Sequence, residues 1–376
     1  MHRFVRITQI LGILSLALMS AGCGGGGSSS SSQGSGSTTG TGGGTTLTVQ
    51  QRAQAATTTA GSNALCTTLT PFYWEIGDGS GALVSGTGGD NSGSPPSAAT
   101  EMAIASASKW VFSSYVLEKL DVSSSNPLSA ADVQYLNFTS GYVNFSDTTC
   151  LLTTSVGACF NAGNLTGGKN SDQTAADVGK FFYNGGHMQA MANNVFNLGP
   201  DYDNSVAAAP KLNTEIEAHL AQDVTLFYSN PSLAGGVATT AGDYAAFLRD
   251  ILNGNLRMKN YLNADVVCAH ANSSDCPTAV YSPVNQSVPG APNNVSDEAW
   301  HYSLGHWIED DPTVGDGAFS SPGADGFYPW IDSSVTYYGV LARFDSSGGA
   351  PGQEPYITSV RCGRAIRKAW LTGQAQ

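Results

Sequence analysis

The chain of 376 residues holds 29 acidic and 16 basic residues, a formal charge of -13, and its Lys and Arg nowhere cluster. That balance argues against nucleic acid and anionic lipid headgroups as partners. Only 12% of residues are charged while Gly alone numbers 45, so much of the polar content is linker-like rather than spread over a uniformly dense domain.

Residues 1–22 show a basic start (His2, Arg3, Arg6), an apolar run from Ile10 to Met19 and small residues before Cys23, the pattern of an export signal. The stretch LMSAGCG reads as a lipoprotein-type cleavage box with Cys23 as the lipidated residue, and simple secretion is the alternative. Residues 23–58 read as a flexible Gly/Ser/Thr-rich tether, which leaves 59–376 as one composite domain. Six further cysteines form an even set in an exported chain, which points to three disulfides. Short loops pair Cys150 with Cys159 and Cys268 with Cys276, leaving Cys66 for Cys362, so that the two ends of the domain lie side by side. No Cys-x-x-Cys, no His pair with ligand spacing and no glycine-rich phosphate loop after a strand is present, so neither a metal nor a nucleotide cofactor is expected.

In chain order, Phe72–Ile76 and Ala82–Val84 read as two strands joined by a tight turn at Gly77–Gly81. Ala103–Leu120 reads as an amphipathic helix, broken at Asn126-Pro127, and Ser129-Ala-Ala-Asp132 opens the next helix with a capping pattern. In FFYNGGHMQAMANNVFNL the pair Gly185-Gly186 interrupts a helical pattern and leaves Tyr183 on a turn. Tyr244, Phe247, Leu248, Ile251 and Leu252 recur at helical spacing behind Thr240 as cap. Residues 299–308 and 337–344 read as strands, and 360–371 as a closing helix with Arg364, Arg367 and Lys368 on its polar side. Strand pairs at both ends around a helical middle predict an α/β chain of α+β type, an antiparallel sheet flanked by helices with an all-helical region.

Ser106-Ala-Ser-Lys109 lies in the first turns of the Ala103–Leu120 helix. Positions i and i+3 share a helix face, which brings the Ser106 hydroxyl and the Lys109 amine together. Apolar surroundings from Ile104, Trp110, Val111, Leu117 and Leu120 disfavour the ammonium and prepare a neutral amine to take the serine proton. The four letters alone are weak, because Ser-x-x-Lys arises by chance roughly once in a chain this rich in Ser; the ordinary reading is a cap serine followed by a surface lysine.

The order of the downstream landmarks adds to the motif. IASASKW (104–110), FTSGY (138–142), FYNGGHMQ (182–189), LAGGV with DYAAFL (233–248) and SPGADGF (321–327) together resemble the serine hydrolases related to class C β-lactamases, penicillin-binding DD-peptidases and their esterase cousins, over most of Phe72–Leu371. The resemblance implies the β-lactamase/transpeptidase-like fold, Ser106 as acyl-forming nucleophile and Lys109 as base. It also implies a proton-shuttling tyrosine. The spacing favours Tyr183, with Asn184 as a stand-in for the motif amide, while Tyr142-Val143-Asn144 matches the Tyr-x-Asn letters and is the alternative. His187 reads as structural. The third motif maps to Ser321-Pro322-Gly323, with the Ala324 amide joining that of Ser106 in an oxyanion hole. Ser321 stands where the family carries a cation, which favours an esterase over a β-lactamase or DD-peptidase.

The expectation is thus an exported, lipid-anchored serine hydrolase of the bacterial cell envelope that needs no cofactor and cleaves a small-molecule or cell-wall-derived ester or amide. A DD-peptidase or β-lactamase and a non-catalytic binding lipoprotein on the same fold are the alternatives.

Overall fold

The computed structural model describes residues 47–198, 211–220, 225–271, 273–285, 298–350 and 352–376. The expected signal, Cys23, the tether up to Thr46 and residues 286–297 lie outside the described residues.

An eight-stranded sheet runs, from one edge to the other, Gly81–Gly88, Phe72–Asp78, Tyr338–Ala342, Tyr328–Ile331, Ala318–Ser320, His306–Glu309, His301–Ser303 and Val267–Cys268. Every pairing in it is antiparallel. The strand nearest the start of the domain thus lies directly beside the last one, in the register Tyr73 with Ala342 and Glu75 with Val340. Phe72–Ile76 is buried on both faces, as expected for an inner strand covered on two sides, whereas the edge strand Gly81–Gly88 is part-exposed along its length.

Both ends of the domain are tied together. Cys66–Cys362, Cys150–Cys159 and Cys268–Cys276 are bonded as expected. The tether reading fails at its end, because Val49–Ser62 is a helix opened by a Thr48/Gln51 capping box. Ala55, Ala56 and Ala60 are buried, and Arg52 donates to the carbonyls of Trp370 and Leu371 at 2.9 and 3.0 Å. Small residues that resemble linker composition here permit close helix packing instead.

The segment 299–308 is a hairpin rather than one strand: His301–Ser303 and His306–Glu309 flank Leu304 (φ 37°) and Gly305 (φ 88°). Positive φ at both central residues is the turn whose twist matches a hairpin. Leucine is a poor residue there, but Leu304 is fully buried and its amide donates to Asn137 Oδ1 at 2.6 Å. A β-carbon on Gly305 would overlap Ser113 Oγ, so this turn packs against the helix Ser108–Lys119.

The closing helix spans Pro355–Thr372, with proline in its first turn, where its missing N–H costs nothing. Arg367 is not on a polar side: it is fully buried, with Glu309 Oε2 at 2.8 Å, Asp316 Oδ2 at 2.7 Å and the Tyr328 hydroxyl at 2.7 Å. The helical region holds Ala130–Leu136, capped by Ser129 as expected, short helices at Asp147–Cys150 and Val156–Asn161, Gly186–Asn194 and Lys211–Glu217. Ala241–Asn253 is capped by Thr240 and stopped by left-handed Gly254 (φ 77°).

Candidate active site

Ser106 sits in a 3-10 turn, Ala105–Ala107, that leads into the helix Ser108–Lys119. The helix is not amphipathic as expected: every residue from Ser108 to Leu117 is buried, which makes it the central helix of the domain. Met102–Ala103, where the helix is expected to begin at Ala103, pairs as a short strand with Val237–Thr239. Ala105 has φ 43°, a left-handed backbone that costs a residue with a β-carbon about 1–2 kcal/mol. Neighbouring bonds hold it: Ser108 Oγ donates to the Ala105 carbonyl at 2.6 Å, and Ile104 N to the Val237 carbonyl at 3.1 Å. Backbone strain retained immediately before Ser106 fits a site whose geometry the surroundings impose.

Lys109 Nζ lies 2.9 Å from Ser106 Oγ and 2.9 Å from the Ala234 carbonyl oxygen. Burial lowers its pKa to about 8, against the opposing pull of the Asp147 carboxylate. A neutral amine in this position donates to Ala234 and offers its lone pair to the serine proton. The Ala234 carbonyl is itself fixed. Leu233 N donates to Gln189 Oε1 at 3.1 Å, Ser232 Oγ donates to Asp147 Oδ1 at 3.0 Å, and Val237 N donates to Ser108 Oγ at 3.1 Å. The LAGGV landmark is visible in the sequence, but its role as acceptor for the lysine emerges only from this geometry.

Of the two tyrosines, the structure brings Tyr183 to the pair. Its ring lies under Lys109 Nζ at 4.8 Å from the centroid and stacks on Trp307 at 5.0 Å. Burial raises the phenol pKa well above its ordinary value, with hydrogen bonds to Ser106 and Trp307 pulling the other way, so the Tyr183 phenol is neutral at physiological pH. Tyr183 is partly buried rather than exposed on its turn. The alternative second motif is elsewhere: Tyr142 packs between Tyr135 and Phe160, and Asn144 Nδ2 donates to Thr174 Oγ1 at 3.3 Å. Asn184 does not stand in for a motif amide, because Nδ2 donates to the Val143 carbonyl at 2.9 Å and Oδ1 accepts from Gly186 N at 2.8 Å. His187 is structural. Burial takes its pKa down to about 3, Nε2 donates to the Phe182 carbonyl and Nδ1 accepts from the Ser140 hydroxyl.

The third motif directly follows the strand Ala318–Ser320 rather than lying within it. Ser321 Oγ donates to the Ser106 carbonyl at 3.1 Å, so this side chain braces the turn that holds Ser106. Gly323 N donates to the Phe327 carbonyl at 2.7 Å. Among the described residues neither the Ser106 nor the Ala324 amide donates to a backbone acceptor, and both residues line one cavity, as an oxyanion hole requires. A β-carbon on Gly323 would overlap the Ile104 carbonyl oxygen. Gly323→Ala therefore pushes the nucleophile turn from its place; kcat on an ester is expected to fall about 10²-fold, the scale of losing one oxyanion donor, with about 1–3 kcal/mol lost from overpacking. Kinetics and a melting curve on the variant check both; unchanged kcat contradicts this role.

The cavity measures about 170 Å³, and Ser106, Tyr183, Pro322 and Ala324 are among the residues that line it. Its lining also includes Trp307 from the hairpin, Trp300 just before it, and Ile357 and Val360 from the closing helix. The two tryptophans are visible in AWHYSLGHWI, yet nothing in a single-strand reading of it aims both at Ser106.

Scanned against models of known protein families the sequence matches none, and no curated protein matches it by sequence. Solved structures do match in three dimensions. A protein named as a β-lactamase from Bacteroides dorei DSM 17855 aligns with a TM-score of 0.54 at 20% identity, covering 81% of this chain and 95% of its own. D-amino acid amidase from Ochrobactrum anthropi SV3 aligns with a TM-score of 0.52 at 10% identity over 80% of this chain and 96% of its own. The chain has the β-lactamase/transpeptidase fold. A simvastatin synthase mutant from Aspergillus terreus shares it with a TM-score of 0.50 at 14% identity, over 86% of this chain and 95% of its own. Within the β-lactamase/transpeptidase fold described here, Ser106, Lys109, Tyr183, Gly323 and Ala324 form one group, and Tyr142, Asn144 and Asn184 stand apart from it.

Proposed function

We propose that this chain is a serine hydrolase that cleaves an ester or amide through an acyl-enzyme on Ser106. The observation that carries the reading is the 2.9 Å contact between Ser106 Oγ and a buried Lys109 whose pKa is lowered to about 8. Lys109 takes the hydroxyl proton as Oγ attacks the carbonyl carbon, and the Ser106 and Ala324 amides receive the developing oxyanion. On collapse the leaving oxygen or nitrogen takes a proton, delivered from Lys109 through the Tyr183 hydroxyl. Water then attacks the acyl carbon, gives its proton to the same groups, and the acid departs as Oγ recovers its hydrogen.

An ester is favoured over a β-lactam or a D-alanyl peptide because Ser321 supplies no cation and spends its hydroxyl on the Ser106 carbonyl. The names of the structural relatives, a β-lactamase, an amidase and a synthase, cover this range of acyl chemistry without choosing within it. Export with a lipid anchor on Cys23, placing the domain in the bacterial cell envelope, is part of the same proposal. Three disulfides support an oxidising compartment.

Turnover of p-nitrophenyl esters, measured beside reaction with a fluorescent penicillin, tests the reading. The expected result is ester hydrolysis that disappears in Ser106→Ala, with no stable penicillin adduct. A stable adduct on Ser106 assigns the chain to the DD-peptidase alternative instead. A folded protein inert to both leaves a binding lipoprotein.

A further inference from the structure

We propose that the Ser106 cavity receives a neutral, apolar group the size of a benzene ring carried on one side of the scissile ester or amide, an inference that rests on the serine hydrolase reading. Size is the first argument. The cavity holds about 170 Å³, close to the engineered apolar cavity of about 150 Å³ that stays dry and binds benzene.

The wall is the second. Trp307 stacks on Tyr183 with centroids 5.0 Å apart and meets Trp300 edge-on at 5.7 Å, so an aromatic surface runs unbroken from the reacting residues into the cavity. Ile357 and Val360, both buried, are the aliphatic residues among its lining on the closing helix. An aromatic guest has both faces and edges to pack against, in the offset or edge-on geometries that rings prefer.

Rigidity is the third argument. Trp300 Nε1 donates to Glu298 Oε2 at 2.7 Å, and the Arg364 guanidinium lies over its ring at 5.7 Å. Trp300 and Trp307 are both nearly fully buried. A wall held this way is formed before the substrate arrives, so little ordering cost is left for binding. The charged side chains of the lining are already engaged: Glu298 pairs with Arg364 at 2.8 Å, and Arg361 Nη1 donates to the Gly352 carbonyl at 3.2 Å. A neutral guest leaves those contacts intact.

Two matched substrate pairs test this: p-nitrophenyl acetate against p-nitrophenyl phenylacetate, and ethyl acetate against benzyl acetate. In at least one pair kcat/KM is expected to rise about tenfold or more for the ring-bearing member, as filling an apolar pocket gives. Val360→Trp, which fills the cavity, should bring that ratio towards one. Ile357→Ala, which enlarges it, should move the preference to a naphthyl homologue. In parallel, benzyl alcohol titrated into folded Ser106→Ala should change the tryptophan fluorescence of Trp300 and Trp307, a readout that needs no catalysis. Flat ratios in both pairs with Ser106 still reactive towards a fluorophosphonate overturn this inference alone. Absence of any Ser106 reactivity overturns the hydrolase reading, which the fluorescence titration does not depend on.

Discussion

Replacing Lys109 with methionine is expected to abolish turnover and stabilise the protein at once. The activity loss is at least about 10³-fold, since the serine loses its base. The stability gain follows from the sign of the pKa shift. Burial lowers the Lys109 pKa to about 8, below the value of about 10.4 of a free lysine. Between those two values the unfolded chain binds more protons than the folded one, so wild-type stability rises as pH climbs from about 8 to about 10.4. Below pH 8 the folded state carries the whole penalty of a buried ammonium, on the order of 3 kcal/mol. Lys109→Met removes it but also loses the bond to the Ala234 carbonyl, so a net gain of about 1–3 kcal/mol is expected at pH 7. The gain should shrink as pH rises through that window. The wild-type kcat/KM should climb with pH through an apparent pKa near 8 as Lys109 becomes neutral. Urea titrations of both proteins at pH 7 and pH 10, beside a pH–rate profile, check these points; a variant less stable at both pH values contradicts the buried-base account.

Arg367→Met is expected to be the most destabilising single change away from the site. Arg367 and Glu309 are both fully buried and 2.8 Å apart, with Asp316 and the Tyr328 hydroxyl completing the arginine's shell. Removing the arginine leaves Glu309 with the Tyr328 hydroxyl at 2.6 Å and with Arg364, its one remaining cation among the described residues, at 3.3 Å. Breaking one side of such a pair costs about 3–5 kcal/mol, because the remaining charge is buried without full compensation. In a domain of this size that lowers Tm by about 4–7 °C. Burial alone would raise the Glu309 pKa, but Arg367 and Arg364 outweigh it and hold the carboxyl below its ordinary range. Its contribution is therefore present above the unfolded-state value and lost as pH falls through the folded one. Pairing Arg367→Met with Glu309→Gln should recover part of the loss, since the orphaned charge goes with its partner. Calorimetry on the two variants decides it, and a single variant as stable as wild type would show the network to be dispensable.

Local chemistry carried much of this molecule into view before the fold did. Ser129 with Asp132, Thr240 with Asp243 and the strand pair around Gly77–Gly81 are set by neighbours in the chain, and the structure keeps them. Ser106 and Lys109 are three residues apart, so one helical turn sufficed to pair them. What failed depends on distant partners. Val49–Ser62 has the small residues of a linker, and the closing helix and the edge strand Gly81–Gly88 beside it make them a packing surface. Arg367 looks solvent-bound until Glu309 and Asp316 arrive from strands and loops more than fifty residues earlier. Tyr142 carries the letters of the second motif, but its neighbours Tyr135 and Phe160 hold it in a separate cluster, while Tyr183 gains its place from Trp307. The Leu304-Gly305 turn lacks the usual Asn or Asp, and burial of the leucine pays for the backbone that a hairpin needs.

The central claim is that Ser106 is the nucleophile, and the most direct measurement is the intact mass of the Leu47–Gln376 protein after exposure to a fluorophosphonate, followed by mapping of the modified peptide. Attack of Ser106 Oγ on phosphorus with loss of fluoride predicts a single adduct, located on Ser106, absent from Ser106→Ala and slowed in Lys109→Met. A folded wild-type protein whose mass does not change, or an adduct on any other residue, would contradict the account.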